Sequence, residues 1–265
     1  MMRIRDRGEN VAALQRALNE RGANLTADGI FGPATDAALR AFQRQAGLVA
    51  DGIAGPKTLA ALAAKDTGKL LRQTDLEKAA QDLGVELAAV MAINEIESRG
   101  SGFLPDGRVV ILFERHIMRR RLVHHGINPA PWQLAHPDVV NTATGGYQGN
   151  AREWPRIGLA WSIHPDAAIE SASWGLFQIL GLHHERLGYT SASAFMDAMR
   201  ESEGRQLDAF VRFIKAEPGL HRALQRLDWP TVARLYNGPA FAKNAYDKRM
   251  QAAYDRHSAA LEASP

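Results

Sequence analysis

The residue with the most distinctive chemical setting is Glu97, which the sequence predicts to lie at the end of an apolar helix. Leu87, Val90, Ile93 and Glu97 recur near helical spacing, so the carboxyl group shares a face with apolar side chains. A helix C-terminus and apolar neighbours both raise the pKa of a carboxyl group. An acid that keeps its proton near neutral pH can protonate a leaving oxygen, as glycoside cleavage requires. Spacing alone leaves open that Glu97 is an ordinary surface glutamate, since Glu95 is only two positions away.

A second carboxylate, Glu114, directly follows the apolar run 109–113. Two roles are open for it: it assists catalysis, or it pairs with Arg115 or another cation. In a two-carboxylate glycosidase the separation of the carboxyl groups decides the stereochemistry, about 5–5.5 Å for a nucleophile and about 6.5–9.5 Å when water must fit between. Tyr147 lies in the glycine-rich stretch 144–149. It is either a lid residue over a substrate groove or part of the tip of a disordered loop.

The first 64 residues contain an internal repeat. Ala-Asp-Gly-Ile-Phe-Gly-Pro at 27–33 recurs as Ala-Asp-Gly-Ile-Ala-Gly-Pro at 50–56, and an alanine-rich helical stretch follows each copy. Asp-Gly favours a tight turn, because glycine tolerates positive φ. Gly-Pro favours a helix start, since proline in the first turn loses no hydrogen bond. With the apolar helical pattern of 9–21, the repeat predicts a compact three-helix unit over residues 3–64.

The remaining chain predicts a larger helical domain, so the fold is expected to be mainly α. We expect a first domain at 1–65, a polar linker at 66–74 and a second domain at 75–265. Thr74 is predicted to cap the first helix of that domain in a capping box with Glu77. A glycine- and proline-rich stretch, 126–158, interrupts the helical pattern, and a final helix is expected over 244–262.

Composition narrows the class of protein. The 265 residues include no cysteine, which excludes disulfides, thiolate metal sites and a cysteine nucleophile. The net charge of +3 and the short basic cluster Arg119–Arg121 do not form the basic stripe typical of nucleic-acid binding, so no nucleic-acid partner is expected. The N-terminus lacks the apolar segment of a secretory signal, and no stretch is long enough to span a membrane.

The N-terminal segment resembles the widespread three-helix peptidoglycan-binding domain. The resemblance rests on Leu14-Gln15 with Leu18, on the doubled Asp-Gly-x-x-Gly-Pro loops and on Ala41-Phe42-Gln43. In that family the loop after the first helix and the start of the next helix border a groove for glycan or stem peptide. The resemblance therefore implies a wall-binding role for a set of five residues: Asp28, Phe31, Gly32, Thr35 and Gln43.

The C-terminal segment resembles goose-type lysozymes and lytic transglycosylases, in which the glutamate of a Glu-Ser motif is the catalytic acid. Four segments carry the likeness in the expected order: Glu97-Ser98-x-Gly-x-Gly-Phe, 111–116, 172–181 and Tyr236-Asn237-Gly-Pro. The last of them is one residue shorter than the usual transglycosylase form, so its local geometry does not transfer in detail.

The resemblance implies a role for each matching residue. Glu97 is the acid, and Tyr236 orients it or is merely a buried aromatic. Ser98, Ser173, Gln178 and Asn237 are expected to contact the glycan, and Trp174 and Phe177 are expected to pack in the core.

The four segments together with the wall-binding unit resemble the N-acetylmuramidase family of modular endolysins from phages that infect Gram-negative bacteria. This implies hydrolysis of the β-1,4 bond after N-acetylmuramic acid for host cell lysis, with peptidoglycan as substrate and no cofactor. It also implies a monomer, made in the host cytoplasm and acting in the periplasm, that depends on a separate membrane-permeabilising protein for release. The amphipathic C-terminal helix is expected to dock onto its own domain, with weak outer-membrane contact as a second hypothesis.

Three alternatives stay open at this point. Lytic transglycosylation, in which the C6 hydroxyl of muramic acid attacks, needs only one acid. Zinc amidases and peptidases carry the same wall-binding domain, but the histidines here lack a His-Glu-x-x-His helix and no metal ligands are predicted. A non-enzymatic wall-binding protein would be expected to have lost Glu97.

Overall fold

The computed structural model describes residues 1–98, 100–237 and 245–263. It is 59% helical with one small sheet, so the predicted mainly α fold is confirmed. Helices α1–α7 span Glu9–Glu20, Pro33–Gln45, Pro56–Leu62, Gln73–Leu83, Leu87–Glu97, Arg115–His124 and Ala130–Ala135. Helices α8–α14 span Glu153–Ile163, Pro165–Glu170, Ala192–Glu201, Glu203–Lys215, Pro218–Gln225, Trp229–Asn237 and Tyr246–Glu262.

The chain divides into two compact units. The first unit comprises residues 1–96 together with 223–265, and the second comprises residues 97–222. These units do not coincide with the domains expected at 1–65 and 75–265, whose boundaries stay a prediction. No helix in the described ranges is long and apolar enough to cross a membrane.

Both copies of the N-terminal repeat fold as the sequence predicts. Gly29 and Gly52 have φ of +73° and +71°, and α2 and α3 begin at Pro33 and Pro56. The core between α1, α2 and the loops is formed by a set of apolar residues: Val11, Leu14, Leu18, Phe31, Leu39, Phe42 and Ala54. The turn glycines and helix-starting prolines therefore have the structural roles assigned to them.

Each repeat loop closes around a buried glutamine. The Nε2 of Gln15 donates to Asp28 Oδ1 at 2.9 Å, to the Ile30 carbonyl at 3.1 Å and to Thr35 Oγ1 at 3.0 Å. Its Oε1 accepts from the Gly29 backbone N–H at 2.9 Å. The hydrogen bond from Gln15 holds the pKa of Asp28 below its usual value. The Gln15 side chain, on α1, is therefore hydrogen-bonded both to the loop 28–30 and to α2.

The second copy repeats this arrangement. Gln43 Nε2 donates to Asp51 Oδ1 at 2.8 Å, to the Ile53 carbonyl at 3.1 Å and to Thr58 Oγ1 at 3.1 Å. Its Oε1 accepts from the Gly52 N–H at 3.0 Å. Because a buried amide must satisfy its donors and acceptor, the glutamine selects the loop conformation in both copies.

The prediction of a capping box formed by Thr74 and Glu77 is wrong. Helix α4 begins at Gln73, and the cap partner is Asp75, whose carboxylate accepts from the Arg72 backbone N–H at 2.9 Å. The expected box of Thr74 and Glu77 has the same spacing but begins two positions later. The expected linker 66–74 buries Leu71, which is 1% exposed, and the linker itself stays a prediction.

The C-terminal helix packs on the first unit. Helix α14 begins at Tyr246, and its Met250, Ala253 and His257 side chains are buried. Tyr254 donates to Glu86 Oε2 at 2.7 Å. The expected start at Asn244 lies outside the described residues.

The sheet belongs to the second unit. Strands β1 (Ile111–Phe113), β2 (Ala172–Trp174) and β3 (Ile179–Leu180) form an antiparallel sheet in the order β1-β2-β3. Ile111 pairs with Trp174, and Trp174 pairs with Ile179.

The stretch 126–158, predicted to be irregular, contains α7 and the start of α8. The Asn128 side chain accepts from the Ala130 N–H at 3.0 Å at the start of α7. Proline also lies at the N-cap and in the first turn of this helix, which favours helix initiation there.

Candidate active site

Glu97 is the last residue of α5, as the sequence predicts, and both Glu97 and Ser98 are partly buried. The helix preceding it is apolar: its residues 88–93 are all buried. Position at a helix C-terminus next to an apolar face is the setting that favours a protonated carboxyl group. Arg99, which follows the Glu-Ser pair, lies outside the described residues.

The neighbouring carboxylate, Glu95, has a different role. Within the first unit it accepts hydrogen bonds from Arg256 Nη2 at 2.6 Å and from His257 Nε2 at 2.9 Å, and Arg3 Nη1 lies 3.7 Å away. Burial raises the pKa of Glu95, but the His257 hydrogen bond and the two arginines outweigh burial and hold it below its usual value. Glu95 is therefore a charged ion-pair partner.

The loop after Glu97 is held by a buried carboxylate that the sequence analysis missed. Glu203, at the start of α11, is 0% exposed and accepts from the Gly102 N–H at 2.8 Å and from Ser101 Oγ at 3.4 Å. The Gly102 carbonyl accepts from the Val110 N–H at 2.9 Å. Hydrogen bonds to both the N–H and the carbonyl of Gly102 therefore fix the loop that connects Glu97 to β1.

Gln206, one turn further along α11, holds the loop and the sheet turn together. Its Oε1 accepts from the Leu176 N–H at 2.7 Å and its Nε2 donates to the Met199 carbonyl at 2.8 Å. A Cβ on Gly102 would lie 1.9 Å from this Oε1, so the buried, hydrogen-bonded Gln206 side chain would have to shift to admit it. Glu203 and Gln206 occupy the apolar face of an amphipathic helix with Leu207, and polar residues at apolar positions are the signal that could have revealed them.

Strand β2 and the turn that follows it carry two of the expected glycan contacts. Ser173 and Gln178 are both partly exposed. Gln178 has φ of +52°, a conformation uncommon for a side chain with a Cβ, and its Nε2 donates to the Gly175 carbonyl at 2.8 Å. Trp174 and Phe177 are 1% and 3% exposed, which confirms that they pack in the core.

Glu114 meets Tyr147. The tyrosine hydroxyl lies 2.8 and 2.9 Å from the two carboxylate oxygens and donates to them. Nδ1 of His116 lies 3.3 Å from Oε2, within ion-pair distance but without hydrogen-bond geometry. Burial raises the pKa of Tyr147 and the hydrogen bond to Glu114 raises it further, so the hydroxyl stays a neutral donor. The expected alternative partner, Arg115, instead binds the carbonyls of Ala143 and Thr144.

The loop that carries Tyr147 is built from several hydrogen bonds. Glu153 is 0% exposed, and its Oε1 accepts from the N–H groups of Gln148 at 2.6 Å and Gly149 at 2.8 Å. Its Oε2 accepts from Arg156 Nη1 at 2.5 Å. The buried carboxylate of Glu153 therefore holds the backbone next to Tyr147, and both interpretations of Tyr147 stay predictions. Tyr147 itself is 48% exposed.

Tyr236 and Asn237 end α13, which belongs to the first unit. Tyr236 is partly buried. The Gly238 and Pro239 of the same motif, and the side chain of Asn237, lie outside what the structure describes. The roles of both residues stay predictions.

The five predicted wall-binding residues all lie in the repeat, and most of them make internal contacts. Phe31, Thr35 and Gln43 are buried, at 1%, 2% and 1% exposure, and Asp28 is exposed but hydrogen-bonded within its own loop. Gly32 is the partly exposed N-cap of α2. They shape the segment, and their contact with peptidoglycan stays a prediction.

The histidine pairs take part in ion pairs and ring contacts. His125 Nε2 lies 2.8 Å from Glu170 Oε2, and Arg121 donates to both oxygens of the same carboxylate at 2.6 and 3.0 Å. The His125 ring stacks on that of His164 with centroids 4.3 Å apart. Over the described ranges, no group of three or more His, Asp or Glu residues could hold a metal ion.

Two family models match the chain. The N-acetylmuramidase model matches residues 86–258, more than half of the chain, and the putative peptidoglycan-binding domain model matches residues 7–62. The solved structure of a Burkholderia AP3 phage endolysin is similar over 97% of this chain and 98% of its own, with 49% sequence identity and a TM-score of 0.92. A search of the curated proteins found no match.

Proposed function

The chain belongs to the N-acetylmuramidase family and is a peptidoglycan-degrading glycoside hydrolase, and on that premise we propose that Glu97 is the general acid that cleaves the β-1,4 bond between N-acetylmuramic acid and N-acetylglucosamine. Its position at the C-terminus of an apolar helix is the observation that carries the proposal. Such a carboxyl group keeps its proton until the bridging oxygen accepts it. The tethered loop at 101–110 gives the acid a fixed surrounding.

Glu114 is the second carboxylate of the proposed site. The Tyr147 hydroxyl holds its carboxylate directly after β1, where it deprotonates a water molecule or attacks the sugar carbon directly. Water adds to C1 of muramic acid, and the bridging oxygen leaves with the proton of Glu97. The configuration of the released reducing sugar, read by NMR before it mutarotates, distinguishes the two roles.

The remaining residues are assigned to substrate binding. Ser98, Ser173 and Gln178 contact hydroxyl and acetamido groups, and their partial exposure supports this. Tyr236 orients Glu97 and Asn237 contacts the sugar, as the resemblance of their motif implies.

The biological setting follows from the likeness to the phage endolysin. We propose a wall-binding domain at 1–65, a linker at 66–74 and a muramidase domain at 75–265. The protein acts as a monomeric endolysin in host lysis, is made in the cytoplasm and reaches the periplasm through a separate membrane-permeabilising protein. The C-terminal helix buries its apolar side against the first unit, which favours docking over membrane contact.

The test is the variant Glu97→Gln, with Glu77→Gln on the exposed face of α4 as the matched control. We expect digestion of purified sacculi to fall by about 10²- to 10⁴-fold, the usual contribution of a general acid, while thermal stability and sacculus binding persist. Undiminished cleavage by Glu97→Gln would contradict the assignment.

Mass spectrometry of the wild-type products separates the alternatives. Reducing muramic acid ends indicate hydrolysis, anhydro-muramic ends indicate transglycosylation, and free stem peptides indicate an amidase or peptidase.

A further inference from the structure

Two polar residues of α11, Glu203 and Gln206, are buried on a helix face that is otherwise apolar. Glu203 is 0% exposed and Gln206 is 1% exposed. The other buried residues of this helix are all apolar: Leu207, Ala209, Phe210, Val211 and Ile214. Burying a carboxylate or an amide is unfavourable unless hydrogen-bond partners satisfy it. The presence of both groups on this face therefore has to be explained by the segments that they hold.

Glu203 holds the loop that follows Glu97. Its Oε1 accepts from the Gly102 N–H at 2.8 Å and from Ser101 Oγ at 3.4 Å. The same Ser101 Oγ accepts from the Phe103 N–H at 3.1 Å. Three consecutive residues that begin four positions after the acid are therefore fixed, directly or through one hydroxyl group, by a buried carboxylate.

Gln206 contacts both this loop and the turn that follows β2. A Cβ on Gly102 would lie 1.9 Å from Gln206 Oε1, and a Cβ on Gly175 would lie 2.5 Å from Gln206 Cδ. The amide therefore packs against two glycines, one from each segment, and a side chain at either position would displace it. Its Oε1 also accepts from the N–H of Leu176, the residue after Gly175, at 2.7 Å.

Backbone hydrogen bonds complete the connection between the two segments. The Gly102 carbonyl accepts from the Val110 N–H at 2.9 Å, and the Val110 carbonyl accepts from the Gly175 N–H at 2.8 Å. The Gly175 carbonyl accepts in turn from Gln178 Nε2 at 2.8 Å. The loop after the acid and the turn expected to contact the glycan therefore belong to one hydrogen-bonded assembly.

We propose that Glu203 and Gln206 are positioning residues for the reaction. Glu203 fixes the loop that orients the Glu97 carboxyl group, and Gln206 holds this loop in register with the turn after β2. The inference rests on the proposed function, because it takes Glu97 as the acid and the turn as a glycan contact. A general acid must lie within hydrogen-bond reach of the bridging oxygen, and a displacement of about 1 Å can cost about 10²-fold in rate.

The test compares Glu203→Ala and Glu203→Gln with Asp208→Ala in the full chain. The substrate is soluble, uncrosslinked glycan strands, so that kcat and KM can be separated. Glutamine keeps an oxygen that accepts from the Gly102 N–H, whereas alanine removes it. Asp208 is the matched control, because it lies on the same helix and its carboxylate pairs with Arg212. Rates are measured well below the lowest melting temperature, so that differences in stability do not enter.

We expect Glu203→Ala to lower kcat by about 10- to 100-fold with little change in KM. Glu203→Gln should recover most of this loss, and Asp208→Ala should keep the kcat of the unsubstituted chain. Glu203→Asp covers the case in which Glu203→Ala does not fold, since it keeps the charge and withdraws the carboxylate by one methylene group. An unchanged kcat in a folded Glu203→Ala or Glu203→Asp protein would overturn the inference.

A double-substitution cycle shows whether Glu203 acts through the acid. In a chain that carries Glu97→Gln, Glu203→Ala should cause little further loss of kcat, because the proton that it positions is already absent. A purely structural role would instead lower kcat by the same factor in both backgrounds, and that result would overturn the inference.

Gln206→Leu tests the second contact. Leucine fills a similar volume but leaves the Leu176 N–H without its acceptor, so the turn can shift relative to the loop. We expect KM to rise by about three- to tenfold, the effect of about one hydrogen bond. An unchanged KM and kcat in the folded variant would overturn the role of Gln206.

The same measurements separate this inference from the proposed function. Loss of activity in Glu97→Gln together with full activity in Glu203→Ala would refute the positioning role alone. Full activity in Glu97→Gln would refute the assignment of the acid, and the positioning role with it.

Discussion

The buried pair of Glu153 and Arg156 offers the sharpest test of how the second unit holds its site. Glu153→Ala removes a carboxylate that is 0% exposed and leaves the 2% exposed Arg156 without its counter-charge. Arg156 keeps its hydrogen bonds to the carbonyls of Phe113 at 3.2 Å and Asp138 at 2.7 Å, but carbonyl groups do not neutralise a buried cation. The same change removes the acceptor for the backbone N–H groups of Gln148 and Gly149.

The cost is set by the uncompensated charge. Removing one partner of a buried ion pair destabilises a protein by about 3–5 kcal/mol. For a domain of this size each kcal/mol lowers the melting temperature by about 2–4 °C, so the midpoint is expected to fall by about 6–20 °C. Glu201→Ala is the control, because the Glu201–Arg205 pair is 59% and 55% exposed and such helix pairs contribute only about 0.3–0.5 kcal/mol.

The assay is thermal unfolding followed by circular dichroism, together with kcat on sacculi well below the lower midpoint. Because Glu153 holds the backbone that presents Tyr147 to Glu114, kcat should also fall, and it should fall for Tyr147→Phe without a comparable loss of stability. A melting temperature for Glu153→Ala within a degree or two of that for Glu201→Ala would refute the reasoning about burial. An unchanged kcat in both Glu153→Ala and Tyr147→Phe would refute the link to the site.

Two further predictions concern backbone space and acid stability. Gly102→Ala should strongly destabilise the second unit, because the new Cβ would lie 1.9 Å from the buried Oε1 of Gln206. Gly158 lies in an exposed part of α8 with nothing within 4 Å of the position that a Cβ would take, so Gly158→Ala should stabilise the unit by about 0.5–1 kcal/mol in urea unfolding. Equal effects of the two substitutions would contradict this prediction. Burial raises the pKa of Glu170, but the hydrogen bonds from Arg121 and His125 outweigh burial and hold it below the usual 4.5. A lowered pKa in the folded state contributes stability above about pH 4.5, and this stability is lost as the pH falls through the folded-state pKa. Glu170→Gln should therefore be less stable than the unsubstituted protein at pH 7 and lose less free energy of unfolding between about pH 5 and pH 3. Parallel pH profiles of the free energy of unfolding for the two proteins would argue against it.

Local patterns in the sequence are sufficient for much of this fold. The two Asp-Gly turns, the helices starting at Pro33 and Pro56, and the end of α5 at Glu97 all follow from residue preferences within a few positions. The mainly α character follows from the helical periodicity of apolar residues, which needs no knowledge of partners.

Other features depend on residues far apart in the chain, and the tertiary structure alone decides them. Glu203 reaches Gly102 across 101 positions, and Gln206 reaches Leu176 across 30. The positions of Glu203 and Gln206 on the apolar face of α11 mark them as buried, but the sequence does not name their partners. The burial of such a side chain becomes favourable only when folding brings its hydrogen-bond partners to it.

The same reasoning explains the contrast between Glu95 and Glu97. Helical spacing alone does not separate Glu97 from Glu95, and the resemblance of the Glu-Ser motif is what singled out Glu97 in the sequence. Folding places Arg256 and His257, more than 160 positions away, beside Glu95. Helix periodicity predicted where the two carboxylates lie along the chain, and the long-range cations decided that Glu95 is held as a charged carboxylate.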